Sequence, residues 1–302
     1  MSTTATLAGL FFYPVKSARA IAAARVRVVA TGFEWDRQWM IINERGTFLS
    51  QRTHPQLARL VPEIRAATLT IRAPGLPPLS LSLANDGAAA TADAAALTRD
   101  RARLTARSAA RVADGTSRTV RVHRDVCVGI DQGSAAAEWA SRAVGETVRL
   151  VRVPADPARV ANPAFTGTVP APMGFADGYP ILVTNENSLE DLNARLPASI
   201  PMERFRPNIV LRGLPAWAED RIASLTVGEL TLRLVKPCTR CTIPSIDQQS
   251  GLPSTDPAPV LRRFRFDREL LGVTFGENAV IAAGSGVEIE CGARCRVSFE
   301  ET

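Results

Sequence analysis

A chain of 302 residues, 46% hydrophobic and 22% charged, is long enough to bury one large or two moderate cores, which excludes global disorder. Its net charge of +6 comes from 36 Lys and Arg, mostly guanidinium, spread without a basic block. That distribution disfavours a nucleic-acid surface and suits recognition of a phosphate or carboxylate on a small molecule.

The N-terminal run MSTTATLAGLFF has no positive residue before it and is cut by Pro14 and Lys16. Neither a signal peptide nor a membrane span is expected, and a cytoplasmic location follows. The five cysteines, Cys127, Cys238, Cys241, Cys291 and Cys295, are then expected as reduced thiols.

RVRVVATGF from Arg25 alternates as a strand, and WMIINERGTFLS from Trp39 reads as a hairpin turned at Arg45-Gly46. In ATLTIRAPGLPPLSLSL, Leu69 and Ile71 line one strand and Leu79, Leu81 and Leu83 the next, with Pro74-Gly75 between them. Residues 84–119 are rich in Ala, Arg, Asp and Thr with almost no bulky apolar side chain, the composition of a flexible surface insertion or of a solvated helix. VRVHRDVCVGI restores strand alternation. Ser134 is placed to cap a helix AAAEWASRAV that stops at Gly145 and buries Trp139. Asn187 or Ser188 is placed to cap SLEDLNARL, where Leu189, Leu192 and Leu196 share a face and Ser188 with Asp191 resembles a capping box. SLTVGELTLRLVKP is a hairpin turned at Gly228-Glu229, with Leu230, Leu232 and Leu234 at period two. The pattern is that of a β-rich barrel or sandwich with a few outer helices.

That last strand delivers KPCTRCTIPSID just past its own end, and three chemistries fit two cysteines at this spacing. A redox dithiol would place its first Cys at a helix N-terminus, whereas a Pro-containing, β-branched stretch follows here. A zinc site would pair Cys238 and Cys241 with Cys291 and Cys295. Two packed thiols at a strand end need no chemistry at all. A single thiolate holding a soft or borderline metal also stays open, with Arg240 between the cysteines to keep it ionised. Phosphate-loop, dinucleotide and His-Glu-x-x-His motifs are absent, and His54 and His123 are the two histidines, too few for a histidine-triad reading.

Several islands together resemble the MOSC-domain family with its N-terminal MOSC β-barrel segment, the group of YcbX-like proteins and mitochondrial amidoxime-reducing components. They are FYPVKSARA from Phe12, DRQWM from Asp36, GIDQG with EWASRAVGETVRLVRV, GFADGYPILVTNENSLEDLNARL, ERFRPNIVL from Glu203, KPCTRCTIPSID and FGENAV from Phe275. The resemblance implies a β-rich α+β fold: a MOSC-type β-barrel core with peripheral helices, formed by 1–37 plus 150–302, and a smaller β-rich domain over 38–149.

It also implies a molybdenum cofactor (Mo-molybdopterin). Cys241 matches the family's metal ligand, with Cys238 its neighbour. Lys16, Ser17, Arg37, Thr184, Asn185, Arg206, Asn208, Thr239 and Arg240 match cofactor-binding positions, and Asp247 matches an acid able to pass protons. From local sequence alone Lys16 and Arg37 read equally as surface charges, Arg206 as a partner of Glu203 or Asp177, Asn208 as a turn former, and Asp247 as the start of a turn.

The implied activity is two-electron reduction of small N-hydroxylated substrates such as hydroxylamines, amidoximes or N-hydroxylated bases, in a cleft between the two domains. No flavin, nicotinamide or Cys-x4-Cys-x2-Cys iron–sulfur fingerprint is present, so a separate electron-donor protein, a flavin or iron–sulfur reductase, is expected, with no nucleic acid and no membrane as partners. No pyridoxal phosphate is required. The alternatives are a cofactor carrier or persulfide-transfer module, and a zinc-stapled structural protein.

Overall fold

The computed structural model describes residues 2–84, 91–92, 116–157 and 159–300. By contact the chain divides into two units, one of Met1–Phe12, Ala20–Asp36 and Ala158–Thr302, the other of Tyr13–Arg19 and Arg37–Pro157.

The first unit is built on a closed barrel. The strands Ile181–Asn185, Ile209–Arg212, Ser2–Phe12, Arg294–Phe299, Ile222–Val227, Leu230–Thr239 and Gly272–Ala283 pair in that order, and the last pairs back on the first. Seven strands in a ring leave no open edge within it. Pairing is antiparallel except between Ile181–Asn185 and Ile209–Arg212. Leu7, Val183, Leu211, Leu225, Leu232 and Val297 belong to the core cluster of these strands.

The expected hairpin is present: Val227 faces Leu230 across Gly228-Glu229, and Gly228 takes a positive φ of 56°. Leu230, Leu232 and Leu234 are its buried side. The strand runs further than expected, through Pro237 and Cys238 to Thr239.

Ser2–Phe12 is a strand that its sequence pattern does not announce. Its register shifts between Leu7 and Gly9 against Ile209–Arg212, so the alternation of buried residues breaks midway.

The second helix spans Glu186–Asn193, and its cap is Asn185, whose side chain accepts from the Asn187 amide at 3.3 Å. Neither Asn187 nor Ser188 caps it. Ser188 lies inside the helix with its hydroxyl on Glu219, and the Asn187 side chain donates through Nδ2 to the Leu214 carbonyl. The expected Leu face is present: Leu192 is buried with Phe205, Leu261 and Phe275, and Leu189 and Leu196 pack against them.

The second unit holds two four-stranded antiparallel sheets. One orders Ser117–Val122, Asp125–Asp131, Val148–Arg152 and Trp39–Asn43. The other orders Val61–Arg65, Thr68–Arg72, Leu79–Ser82 and Thr91–Ala92. The turns at Arg45-Gly46 and Pro74-Gly75 occur as expected, with Gly46 and Gly75 at positive φ. The helix Gly133–Val144 ends at Gly145 in the left-handed conformation. Ser134 is not its cap; the Asp131 carboxylate accepts the Gly133 amide at 2.9 Å instead. Most of the segment read as a flexible insertion or solvated helix lies outside the described residues, and its end, from Ser117, is strand. Among the described residues no helix is long and apolar enough to cross a membrane.

Candidate functional site

The KPCTRC cysteines differ in setting. Cys238 is the second-last residue of its strand and half-buried, whereas Cys241 lies beyond the strand, exposed and without a disulfide. Arg240 was expected to support Cys241. Its Nη1 donates instead to Cys238 Sγ at 2.9 Å and its Nη2 to the Phe205 carbonyl at 2.7 Å. The reason is local: the Arg240 amide donates to the Val273 carbonyl, and the guanidinium lies over the Phe205 ring at 5.4 Å. That ring stacks on Phe275 at 3.8 Å. Tyr179 is a further neighbour of Cys238, its phenol pushed up to about 12 by burial and by that cysteine.

The loop after Cys241 is fixed from below by a residue that sequence reading did not single out. Arg204 is buried, with Nη1 on the Pro244 carbonyl at 3.1 Å and Nη2 on Asp247 Oδ2 at 3.2 Å. Asp247 Oδ1 accepts the Gln249 and Ser250 amides and the Ser250 hydroxyl. The Ser250 amide foremost, with that hydroxyl, the Gln249 amide and Arg204, holds the carboxyl below its usual range. Asp247 thus opens a turn, as its local sequence also allows.

Arg206 follows the short helical turn Met202–Phe205 in the left-handed conformation, φ 56°, and Nη1 reaches Gln248 Oε1 at 3.5 Å. Asn208, Thr184 and Asn185 face inward. Asn208 donates to the Phe11 carbonyl and accepts the Leu182 amide, joining three strand ends. Thr184 donates to the Ile209 carbonyl, and Asn185 caps its helix while donating to the Pro215 carbonyl at 2.7 Å. The bonds of these three tie neighbouring segments of the barrel to one another. Thr239 is exposed at the strand end, paired with Thr274.

In the second unit the segment Tyr13–Arg19 runs beside Arg37–Trp39. The Arg37 amide donates to Tyr13, the Trp39 amide to Pro14 and the Lys16 amide to Trp39. This brings Lys16, Ser17 and Arg37 into one neighbourhood. Lys16 is buried with Nζ 4.8 Å from the Phe48 ring, and the Arg37 guanidinium lies 4.2 Å over Tyr13. The Ser17 carbonyl accepts Gln51 Nε2 at 2.7 Å. Ser17 and Arg37 both carry positive φ, 69° and 48°. With Arg206 they make three of the eight non-glycine residues in that strained region, among the described residues, that are also matched site positions. Strain of this kind persists where surrounding structure imposes it, and it collects at ligand sites.

The other cysteines are engaged elsewhere. Cys295 is in the barrel core, where burial pushes its thiol up to about 11, and Cys291 Sγ donates to the Ala8 carbonyl at 3.3 Å. Among the described residues no group of three or more His, Cys, Asp or Glu is placed to hold a metal ion, so the four-cysteine zinc arrangement is not formed.

Two buried acids lie in the same unit. Burial pushes Glu219 up to about 7 and Glu277 up to about 9, and Glu219 Oε2 accepts the Ser188 hydroxyl at 2.7 Å. Oε1 of each has no hydrogen-bond partner among the described residues.

A closed β-barrel carrying a cysteine loop at one strand end, in a chain whose second unit is built of small sheets, defines the class. The model of the MOSC N-terminal beta barrel domain matches residues 4–114 and that of the MOSC domain residues 170–296. The chain belongs to the MOSC-domain proteins that carry this N-terminal domain. It is 28% identical over 268 residues to mitochondrial amidoxime-reducing component 1 of Mus musculus, covering 86% of this chain and 71% of that one. The Homo sapiens protein of the same name is 28% identical over 290 residues, 91% and 78% of the two chains. Molybdenum cofactor sulfurase of Bos taurus is 25% identical over 268 residues, 83% of this chain but 28% of the sulfurase.

Proposed function

We propose that the protein is a molybdenum-cofactor oxidoreductase that reduces the N–O bond of small N-hydroxylated compounds with electrons from a separate protein. The observation that carries this reading is the Cys241 loop: one exposed thiol past the end of a barrel strand, on a loop tied down by buried Arg204. A thiolate is a donor for soft and borderline metals, and a single one leaves the remaining positions of a metal open. Likeness to amidoxime-reducing components over most of both chains supports the same reading.

The residues fit an anionic cofactor. Arg240 Nε is buried without an acceptor among the described residues, so one donor of its fork is unspent. Arg206, which follows Phe205 in sequence, and Lys16 and Arg37 in the second unit supply the charged donors that phosphate takes most strongly, and Ser17 adds a hydroxyl. In this reading Cys241 ligates the metal, and Thr239, Arg240 and Arg206 bind the cofactor near it. Lys16, Ser17 and Arg37 bind its phosphate and pterin, while Thr184, Asn185 and Asn208 support the site through the barrel rim. Bound there, the cofactor supplies the two-electron redox chemistry that N–O reduction requires.

The sulfurase likeness favours a second reading, in which Cys241 carries a persulfide. Elemental and pterin analysis of the wild type beside Cys241→Ser separates the two. The expected result is stoichiometric molybdenum in the wild type, at least tenfold less in the variant, and amidoxime reduction with a reduced viologen in the wild type alone. Molybdenum retained unchanged in the variant sinks the ligand assignment. Metal-free wild type with sulfane sulfur on Cys241 selects the second reading.

A further inference from the structure

The segment Arg262–Leu271, RRFRFDRELL, leaves the helix Ala258–Phe264 and enters the strand pair Phe266–Asp267 and Gly272–Ala283. On it Phe264, Phe266 and Leu271 are 38%, 40% and 80% exposed. Arg262, Arg263 and Arg268 are exposed as well, and among the described residues none of the three is ion-paired. Arg262 lies 5.4 Å over the Phe266 ring. The fourth arginine of the segment is spent: Arg265 binds Asp220 at 2.7 Å and stacks on Trp217. Of the two acids, Asp267 is half-buried and accepts the Glu269 and Leu270 amides, and Glu269 is exposed, so arginine outnumbers carboxylate among the exposed side chains of the segment.

Large apolar side chains interleaved with arginine are what the centre of a protein interface uses, and a folded monomer gains nothing by exposing them together. The charge selects an acidic partner. A nucleic-acid backbone would draw on denser basic charge and would have less use for Leu271 and Phe266.

Position supplies the purpose. Phe266 pairs with Val273, whose carbonyl accepts the Arg240 amide at 2.8 Å, and Thr274 pairs with Thr239. The patch is thus about two strand spacings, roughly 10 Å, from the residues that lead into Cys241.

We propose that Arg262, Arg263, Arg268, Phe264, Phe266 and Leu271 form the docking surface for an acidic redox protein that delivers electrons to the Cys241 site. This rests on the reductase reading. The overall step is RNHOH plus two electrons and two protons giving RNH2 and water, with the docked flavin or iron–sulfur protein oxidised as the N–O bond is reduced.

The test compares the wild type with a variant carrying Arg262→Glu, Arg263→Glu and Arg268→Glu, all exposed residues outside the cofactor-binding set. Binding of an oxidised plant-type ferredoxin and of a flavodoxin, both acidic, is measured by calorimetry at 50 and 300 mM salt, without turnover. Turnover is measured separately with each reduced protein and with reduced viologen, which needs no docking. The expected result is that at least one acidic protein binds the wild type, weakens at high salt, and loses at least tenfold in affinity and in supported rate with the variant, while the viologen rate is unchanged. Equal affinity for wild type and variant, or binding of neither acidic protein, overturns the proposal. So does charge-dependent binding of duplex DNA or of phosphatidylserine vesicles in place of the acidic proteins. Loss of viologen turnover in the wild type itself would remove the reductase reading while the calorimetry still decides the docking surface.

Discussion

Glu277 lies opposite both Val183 and Pro237 in the sheet register, 4% exposed, with one carboxyl oxygen lacking a partner among the described residues. Ionising it there would bury a charge that Arg265 offsets only in part, and Asp220 and Glu219 nearby add repulsion. The folded protein therefore keeps the proton up to about 9, whereas an ordinary glutamate releases it near 4.5. Between those values the folded state binds one proton more than the unfolded chain. The contribution is full below the lower value and falls as pH rises across the window. Glu219 adds a shift of the same sign, ending at about 7. Glu277→Gln has no proton to lose, so its urea midpoint should stand close to the wild type at pH 4.5 and clearly above it at pH 8. Midpoints that keep a constant separation over that range would mean Glu277 is not held as the neutral acid.

The strand Gly272–Ala283 carries Glu277 and also the tightest packing constraint at the site. Gly276 has φ 75°, and a Cβ there would lie 2.7 Å from Thr184 Cγ2 and 2.7 Å from the Val183 carbonyl oxygen. Backbone cannot yield as a flexible side chain does, and a left-handed φ adds strain for any residue with a Cβ. Gly276→Ala should cost about 3 kcal/mol in denaturant unfolding. A loss below about 0.5 kcal/mol would show that the barrel wall relaxes there.

Elements of this sheet were legible in proportion to how locally they are determined. Val227, Gly228, Glu229 and Leu230 define their hairpin within four residues, and the leucines of period two mark its buried face. The helix cap was misread because Asn185, Asn187 and Ser188 are all competent caps, and partners remote in sequence assign them: Pro215, Leu214 and Glu219. At the candidate site, the resemblance of KPCTRC proposes Cys241 as the ligand, while the turn of Arg240 onto Cys238 was not legible. That choice is made by Phe205 and Val273, which no spacing within the motif contains.

At the scale of the whole molecule, the barrel depends on contacts that span nearly its full length. Ser2–Phe12 pairs on one side with Ile209–Arg212 and on the other with Arg294–Phe299. Such non-local pairing demands loop closure before it returns any stabilisation, which makes folding slow. A chain ending at Cys291 lacks the strand that joins Ser2–Phe12 to Ile222–Val227 and leaves both as open edges. It should lose the cooperative near-ultraviolet dichroism transition of the first unit and elute as aggregate, and an unchanged urea midpoint would contradict this.

The same ring sets a timetable during synthesis. Ser2–Phe12 emerges first, but its neighbour Arg294–Phe299 is made some 280 residues later. At about 5–20 residues per second the first strand waits roughly 15–60 s with an unpaired apolar edge. Through that interval the nascent chain depends on whatever shields Leu7 and Leu10 at the ribosome, so a shortage of chaperones should lower the yield of folded protein.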